Sequence, residues 1–192
     1  MSKYRPEFES ALRVLAAIGK SFKARGINPP VLVGGGAVEF YTMSAITSSD
    51  FDLVGAYEET LFDALREAGL ERYKVKNALI KYWVHKDTDI AIEFVGSRLM
   101  DGHTNRSYIQ TVTIGEGDNQ EVLILPVEDL IADRLAQYDS DNNCLDMLKQ
   151  AQLLWKVASE IDLVYIDKRI NDEAPSLDWE DLLGERDEAY NT

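Results

Sequence analysis

Asp50 and Asp52 stand two residues apart in the short apolar run Asp50-Phe51-Asp52-Leu53-Val54-Gly55, and Glu93 interrupts a second run, Ile90-Ala91-Ile92-Glu93-Phe94-Val95. Residues i and i+2 of a strand emerge on one face, so the two aspartates lie close enough to share one or two cations. Mg²⁺, or Mn²⁺ in its place, takes oxygen ligands and commonly uses one or two carboxylates together with the phosphates of a substrate. A third carboxylate would complete such a site. Glu93 is the candidate, because a charge buried unpaired in an apolar strand is costly and needs a partner. Taken alone, the aspartate pair also fits a solvated strand end, the commoner meaning of acidic pairs in a chain with 34 Asp and Glu.

Gly34-Gly35-Gly36 follows the apolar run Val31-Leu32-Val33 and precedes Ala37-Val38-Glu39-Phe40-Tyr41, which reads as strand, glycine turn and helix. Backbone N–H groups of Gly34 and Gly35 can approach phosphate oxygens without side-chain obstruction and with the helix dipole helping; a purely structural turn is the plainer alternative. No Gly-Lys-Ser/Thr follows, so this is not a Walker loop, and Glu39 holds the place of the third glycine of a dinucleotide fingerprint. Ser48 and Ser49 offer hydroxyls to a phosphate, or satisfy the turn through local hydrogen bonds. His85, His103 and Cys144 have no zinc-ligand spacing.

The elements that must position these residues follow from periodicity. From about Glu7 to Arg25 the residues Phe8, Leu12, Leu15, Ile18 and Phe22 make one stripe of an amphipathic helix, ended by Gly26. Leu61, Phe62, Leu65 and Ala68 outline a short helix closed by Gly69, and strands are expected near 72–75, 79–85 and 89–95. Tyr108 to Ile114 and Glu121 to Leu125 read as two strands flanking a hairpin loop at 115–119. Pro126 switches the chain to helix, with Glu128 and Asp129 meeting the positive end of its dipole. The next helix carries Cys144, Met147, Leu148, Ala151, Leu154, Trp155 and Ala158 on one face, and another begins after Asp162. From Asn171 the chain is acidic, with a short helix expected at Trp179 to Leu183 in a partly mobile tail. The expected class is therefore α/β (of the α+β kind): a small mixed sheet flanked by helices over 1–125, a helical lobe packed on it over 126–171, and an acidic tail over 172–192.

With 192 residues, 45% of them hydrophobic, the chain can bury a proper core. Its net charge of −14 repels polyanions, so a nucleotide needs local help from cations, a helix N-terminus or a confined basic patch such as Arg72, Lys74, Lys76, Lys81 and Lys86. The plainer reading of that patch is a solvated strand face. No stretch approaches about 18 consecutive apolar residues, and the start MSKYRPEFES lacks a secretory apolar core, so no membrane association is expected. A single cysteine, Cys144, on an apolar helix face suits a reducing, cytoplasmic setting.

The segment VLVGGGAVEFYTMSAITSSDFDLVG resembles the nucleotidyltransferase (polymerase beta-like) superfamily, in which a Gly-Gly or Gly-Ser turn at a helix start precedes an Asp-x-Asp strand. The later segment LPVEDLIADRLAQYDSDNNCLDMLKQAQLL is similar to the helical lobe of bacterial and archaeal relatives, among them uncharacterised members and abortive-infection or toxin-type nucleotidyltransferases. The resemblance implies transfer of a nucleoside monophosphate from a nucleoside triphosphate to an acceptor, with pyrophosphate leaving. Asp50, Asp52 and Glu93 would then be the catalytic and metal-binding residues, and Gly34, Gly35, Ser48, Ser49 and Arg134 the nucleotide-binding ones. In such relatives a basic residue on the first helix of the lobe faces the nucleotide, and Arg134 takes that position; read from the residues alone, its anionic partner is as readily a phosphate as it is Glu128 or a nearby aspartate. The acceptor in this superfamily is tRNA, protein, antibiotic or another nucleotide. The chain departs from the family pattern at Ile46, where many relatives carry arginine, and at Glu93, where aspartate is common. These departures keep open a catalytically silent relative that senses nucleotide or binds a protein partner, as in a toxin–antitoxin pair.

Overall fold

The computed structural model describes residues 3–55, 62–73, 82–88, 90–114, 120–140 and 144–186. Among these, seven strands form one mixed sheet in the order β3-β4-β5-β2-β1-β7-β6. The strands are β1 (Val31–Val33), β2 (Asp50–Val54), β3 (Leu70–Arg72), β4 (Tyr82–His85), β5 (Ala91–Gly96), β6 (Gln110–Thr113) and β7 (Glu121–Ile124). The helices are α1 (Pro6–Ala24), α2 (Gly34–Tyr41), α3 (Phe62–Glu67), α4 (Val127–Ser140), α5 (Leu145–Val157), α6 (Leu163–Glu173) and α7 (Trp179–Leu183). Pairing is parallel for β2 with β5 and for β1 with β7, and antiparallel for the remaining neighbours. A mixed sheet with flanking helices is the architecture expected from the sequence.

One face of the sheet is built by α1. Pro6 opens this helix with Glu7 and Glu9 in its first turn, where the dipole favours them, and Phe8, Leu12, Leu15, Ile18 and Phe22 are all buried. Phe8 meets Phe51 of β2 at 5.8 Å between ring centroids, and Phe22 stacks on Phe94 of β5 at 6.5 Å. Because strand side chains alternate, Asp50, Asp52 and Glu93 point to the opposite face.

The chain divides into two compact units, Met1–Ala37 with Thr47–Leu125, and Val38–Ile46 with Pro126–Thr192. The second unit thus also takes the segment 38–46, which α2 carries out of the first. Within it α4 packs on α5 and α6, and α7 on α5. The acidic segment after Asn171 is not simply a tail: as far as Arg186 it lies on α5. Leu183 is buried, Gln152 Nε2 donates to the Leu182 carbonyl (2.8 Å) and Trp155 Nε1 to the Gly184 carbonyl (2.9 Å). Few apolar residues suffice there because each is an anchor. Cys144 caps the start of α5 and is partly exposed, one residue short of the helix whose stripe it was expected to join.

Strand β3 begins at Leu70, earlier than the expected 72–75, because Leu70 is the fully buried residue of that strand. The hairpin loop 115–119 and Lys74, Lys76 and Lys81 lie outside the described residues. The described part of the basic patch is solvated: Arg72 lies over the Phe62 ring at 5.5 Å and Lys86 pairs with Glu71 at 3.0 Å. No helix among the described residues is long and apolar enough to cross a membrane.

Candidate active site

Strand register assembles the carboxylates. Parallel pairing of β2 with β5 sets Asp52 beside Glu93 and Asp50 beside Ala91, and antiparallel pairing of β4 with β5 sets Tyr82 on the other side of Glu93. Asp50, Asp52, Glu93 and Tyr82 therefore share one partly exposed face, while Phe51, Leu53 and Ile92 between them are buried in the core. Tyr82 was not legible as a site residue. The negative field of Glu93, then partial burial, then Asp50 and Asp52 push the pKa of the Tyr82 hydroxyl above the ordinary tyrosine value. One hydroxyl thus sits within electrostatic reach of all three carboxylates.

The glycine turn abuts this face. Antiparallel pairing of β1 with β2 sets Val33 opposite Asp52, so the next residue, Gly34, opens α2 directly against the aspartate. A Cβ on Gly34 would lie 2.4 Å from Asp52 Oδ2, and the residue holds a φ of +59°. A Cβ on Gly35 would lie 2.6 Å from Ser48 Oγ, and one on Gly36 2.8 Å from the Phe51 ring. The first two glycines thus make room for the site and the third for the core. Their N–H groups begin a helix, where four backbone donors lack intrahelical partners and the dipole is positive.

Ser48 shapes the entry to β2: its Oγ donates to the Asp50 carbonyl (2.8 Å), the local bonding that serine commonly makes in turns. Its own carbonyl accepts from Arg5 Nη2 at 2.7 Å. The turn that lacks an arginine at Ile46 is therefore met by one from the N-cap of α1, a contact across 43 residues that no local pattern signals. Ser49 is exposed, with its Oγ 3.4 Å from Asp50 Oδ1.

Among the described residues, no three His, Cys, Asp or Glu side chains are grouped so as to hold a metal ion. The carboxylates share a face without forming a closed cage, and Glu93 is partly exposed beside Tyr82 rather than buried as its apolar setting suggested. The donor set still fits Mg²⁺, which takes one or two carboxylates and fills its other positions with phosphate and water.

Arg134 is placed differently from the rest. It belongs to the second unit, where its side chain is 8% exposed, its Nη2 lies 3.1 Å from Asp133 Oδ2 and its Nη1 lies 3.3 Å from both Gln137 Oε1 and Met147 Sδ. Of the carboxylates offered as partners, a nearby aspartate meets it and not Glu128, which accepts from the Asp162 N–H at 3.0 Å.

No protein-family model matches the sequence, and no curated protein does. Solved structures do. An antigenic nucleotidyltransferase-like protein from Paracoccidioides brasiliensis superposes with a TM-score of 0.61, covering 94% of this chain and 93% of its own at 13% identity. ANT(2″)-Ia in complex with adenylyl-2″-tobramycin gives 0.52, covering 86% and 98% at 12% identity. JHP933 from Helicobacter pylori gives 0.52, covering 88% and 75% at 17% identity. At such identities the likeness is one of fold.

Proposed function

Because the chain has the nucleotidyltransferase fold, we propose that it transfers a nucleoside monophosphate from a nucleoside triphosphate to an acceptor, releasing pyrophosphate. The observation that carries this reading is the contact between Gly34 and Asp52, which sets a helix N-terminus suited to phosphate against a carboxylate suited to a cation. Asp50 and Asp52 would hold Mg²⁺ or Mn²⁺; when bound, the cation neutralises the triphosphate and favours the attacking oxygen in its deprotonated form. The N–H groups of Gly34 and Gly35 bind phosphate oxygens, and the exposed Ser49 hydroxyl adds a donor beside Asp50. Glu93, with Tyr82 beside it in the sheet, takes the proton of the acceptor hydroxyl. The adenylylated tobramycin held by ANT(2″)-Ia supports a small-molecule acceptor, with tRNA and protein as the other classes to screen.

Calorimetric titration with each of the four common nucleoside triphosphates and Mg²⁺ is expected to show binding of at least one. Asp52→Asn is expected to weaken it at least tenfold, about 1.4 kcal/mol. A folded protein that binds none of them sinks the proposal. Carboxylates that share a face without converging, together with Ile46, favour a second reading, a silent relative that binds nucleotide or a protein partner without turnover. Release of pyrophosphate on any acceptor in a screen of RNA, protein and small molecules excludes that second reading.

A further inference from the structure

The second unit carries a pocket that the proposed chemistry does not use. Trp155 and Trp179 meet edge to face, their centroids 5.7 Å apart and their planes at 78°, and form the aromatic corner of a cavity of about 580 Å³ whose lining also includes Ile161 and Leu163. The bonds from Gln152 and Trp155 to the backbone at Leu182 and Gly184 tie the α7 side of the pocket to α5, so the corner is preformed. Leu163 in this lining is 60% exposed, and the residue that follows it in the chain, Val164, is 83% exposed. A pocket that opens onto exposed aliphatic side chains suits a chain segment, because a small ligand would leave that surface in water.

The charge around the pocket says what kind of segment. Glu180, Asp181 and Glu185 rim it. Arg186 demonstrates that its aromatic wall accepts a cation: the guanidinium lies 5.1 Å over the Trp155 ring while donating to the Ala158 carbonyl. The net charge of −14 adds long-range attraction for a basic partner. We propose that this pocket and the adjoining Leu163 and Val164 dock a basic, apolar segment of a partner protein, which seats an aliphatic side chain against the tryptophans and pairs Arg or Lys with the carboxylate rim.

The full chain, titrated with the peptide acetyl-Leu-Arg-Leu-Leu-Arg-Leu-amide under tryptophan fluorescence, should show saturable binding that weakens as salt rises. Binding should fall at least tenfold for the double variant Glu180→Lys/Asp181→Lys, for Val164→Asp, and for a peptide with citrulline in place of arginine. Asp146→Lys, at a side chain 77% exposed on α5, should leave it within twofold. These substitutions are at exposed positions, and matched circular dichroism and melting temperature confirm that each variant folds. A flat titration to millimolar peptide overturns the proposal. Equal losses at Asp146 and at the rim reduce the effect to bulk charge, and tetrabutylammonium binding as tightly as the peptide makes the pocket a small-cation site; either result also overturns it.

Discussion

Gly34→Ala is expected to abolish nucleotide binding and to destabilise the first unit, although it adds one methyl group. Two costs combine. An L-residue at a φ of +59° loses roughly 1–2 kcal/mol to left-handed strain, and the new Cβ would sit 2.4 Å from Asp52 Oδ2, a separation that forces the carboxylate or strand β2 to move. Gly26→Ala separates the two, since Gly26 has a φ of +70° with nothing within 4 Å of the added Cβ. It should lose only the backbone part, about 1 kcal/mol, and bind nucleotide as the parent does. Gly35→Ala should fall between them: Ser48 Oγ can rotate away from the methyl group, forfeiting its bond to the Asp50 carbonyl, about 0.5–1.5 kcal/mol. Urea midpoints and calorimetric titration with a nucleoside triphosphate and Mg²⁺ on the three variants check the series. Unimpaired binding by Gly34→Ala would place the phosphate site elsewhere.

The same face shows what a sequence can and cannot reveal. The alternation of Asp50 and Asp52 with the buried Phe51 and Leu53 is local, so a period of two was enough to put the carboxylates on one face. The α1 stripe from Phe8 to Phe22 and the short α7 helix were legible for the same reason. Register between strands is not local. Nothing near Tyr82 in the chain says that it will lie beside Glu93, nor anything near Arg5 that it will reach the Ser48 carbonyl. Glu93 was misjudged as a buried charge because apolar residues flank it on both sides. In β5, however, only Ile92 is fully buried, and Val95 is 51% exposed, so the strand has one wet face in spite of its composition. Arg134 shows the opposite limit: its place at the edge of an apolar stripe called for an anionic partner, and the adjacent Asp133 supplies one.

In the second unit, Asp129→Ala is expected to cost about 3 kcal/mol, because it leaves the Nε of a buried guanidinium and the Tyr165 hydroxyl without their acceptor, although Asp172 and Glu173 still pair the charge. Asp129 and Arg169 both have fully buried side chains; Arg169 Nε donates to Asp129 Oδ1 at 2.6 Å, and the Tyr165 hydroxyl donates to Asp129 Oδ2 at 2.7 Å. Burial works against the charge on Arg169, but its hydrogen bonds to Asp129 and Glu173 outweigh this and hold its pKa above the ordinary arginine value. Without Asp129 the charge still persists, because a guanidinium keeps its proton in proteins. Asp172 and Glu173 cannot take over, since they already engage Nη1 and Nη2 at 3.3 and 2.8 Å while Asp129 alone meets Nε. Asp129 also lies in the first turn of α4, where a carboxylate is favoured by the helix dipole. Tyr165→Phe should be milder, about 0.5–1.5 kcal/mol, because it removes a neutral donor and leaves the ion pair. The double variant Asp129→Leu/Arg169→Met should recover most of the loss, as a buried pair replaced by apolar side chains of similar volume is often neutral. Urea unfolding followed by fluorescence of Trp155 and Trp179, both in this unit, measures all three. A loss below about 1 kcal/mol for Asp129→Ala would mean that Arg169 finds another acceptor or water, and that the pair is not what joins α4 to α6.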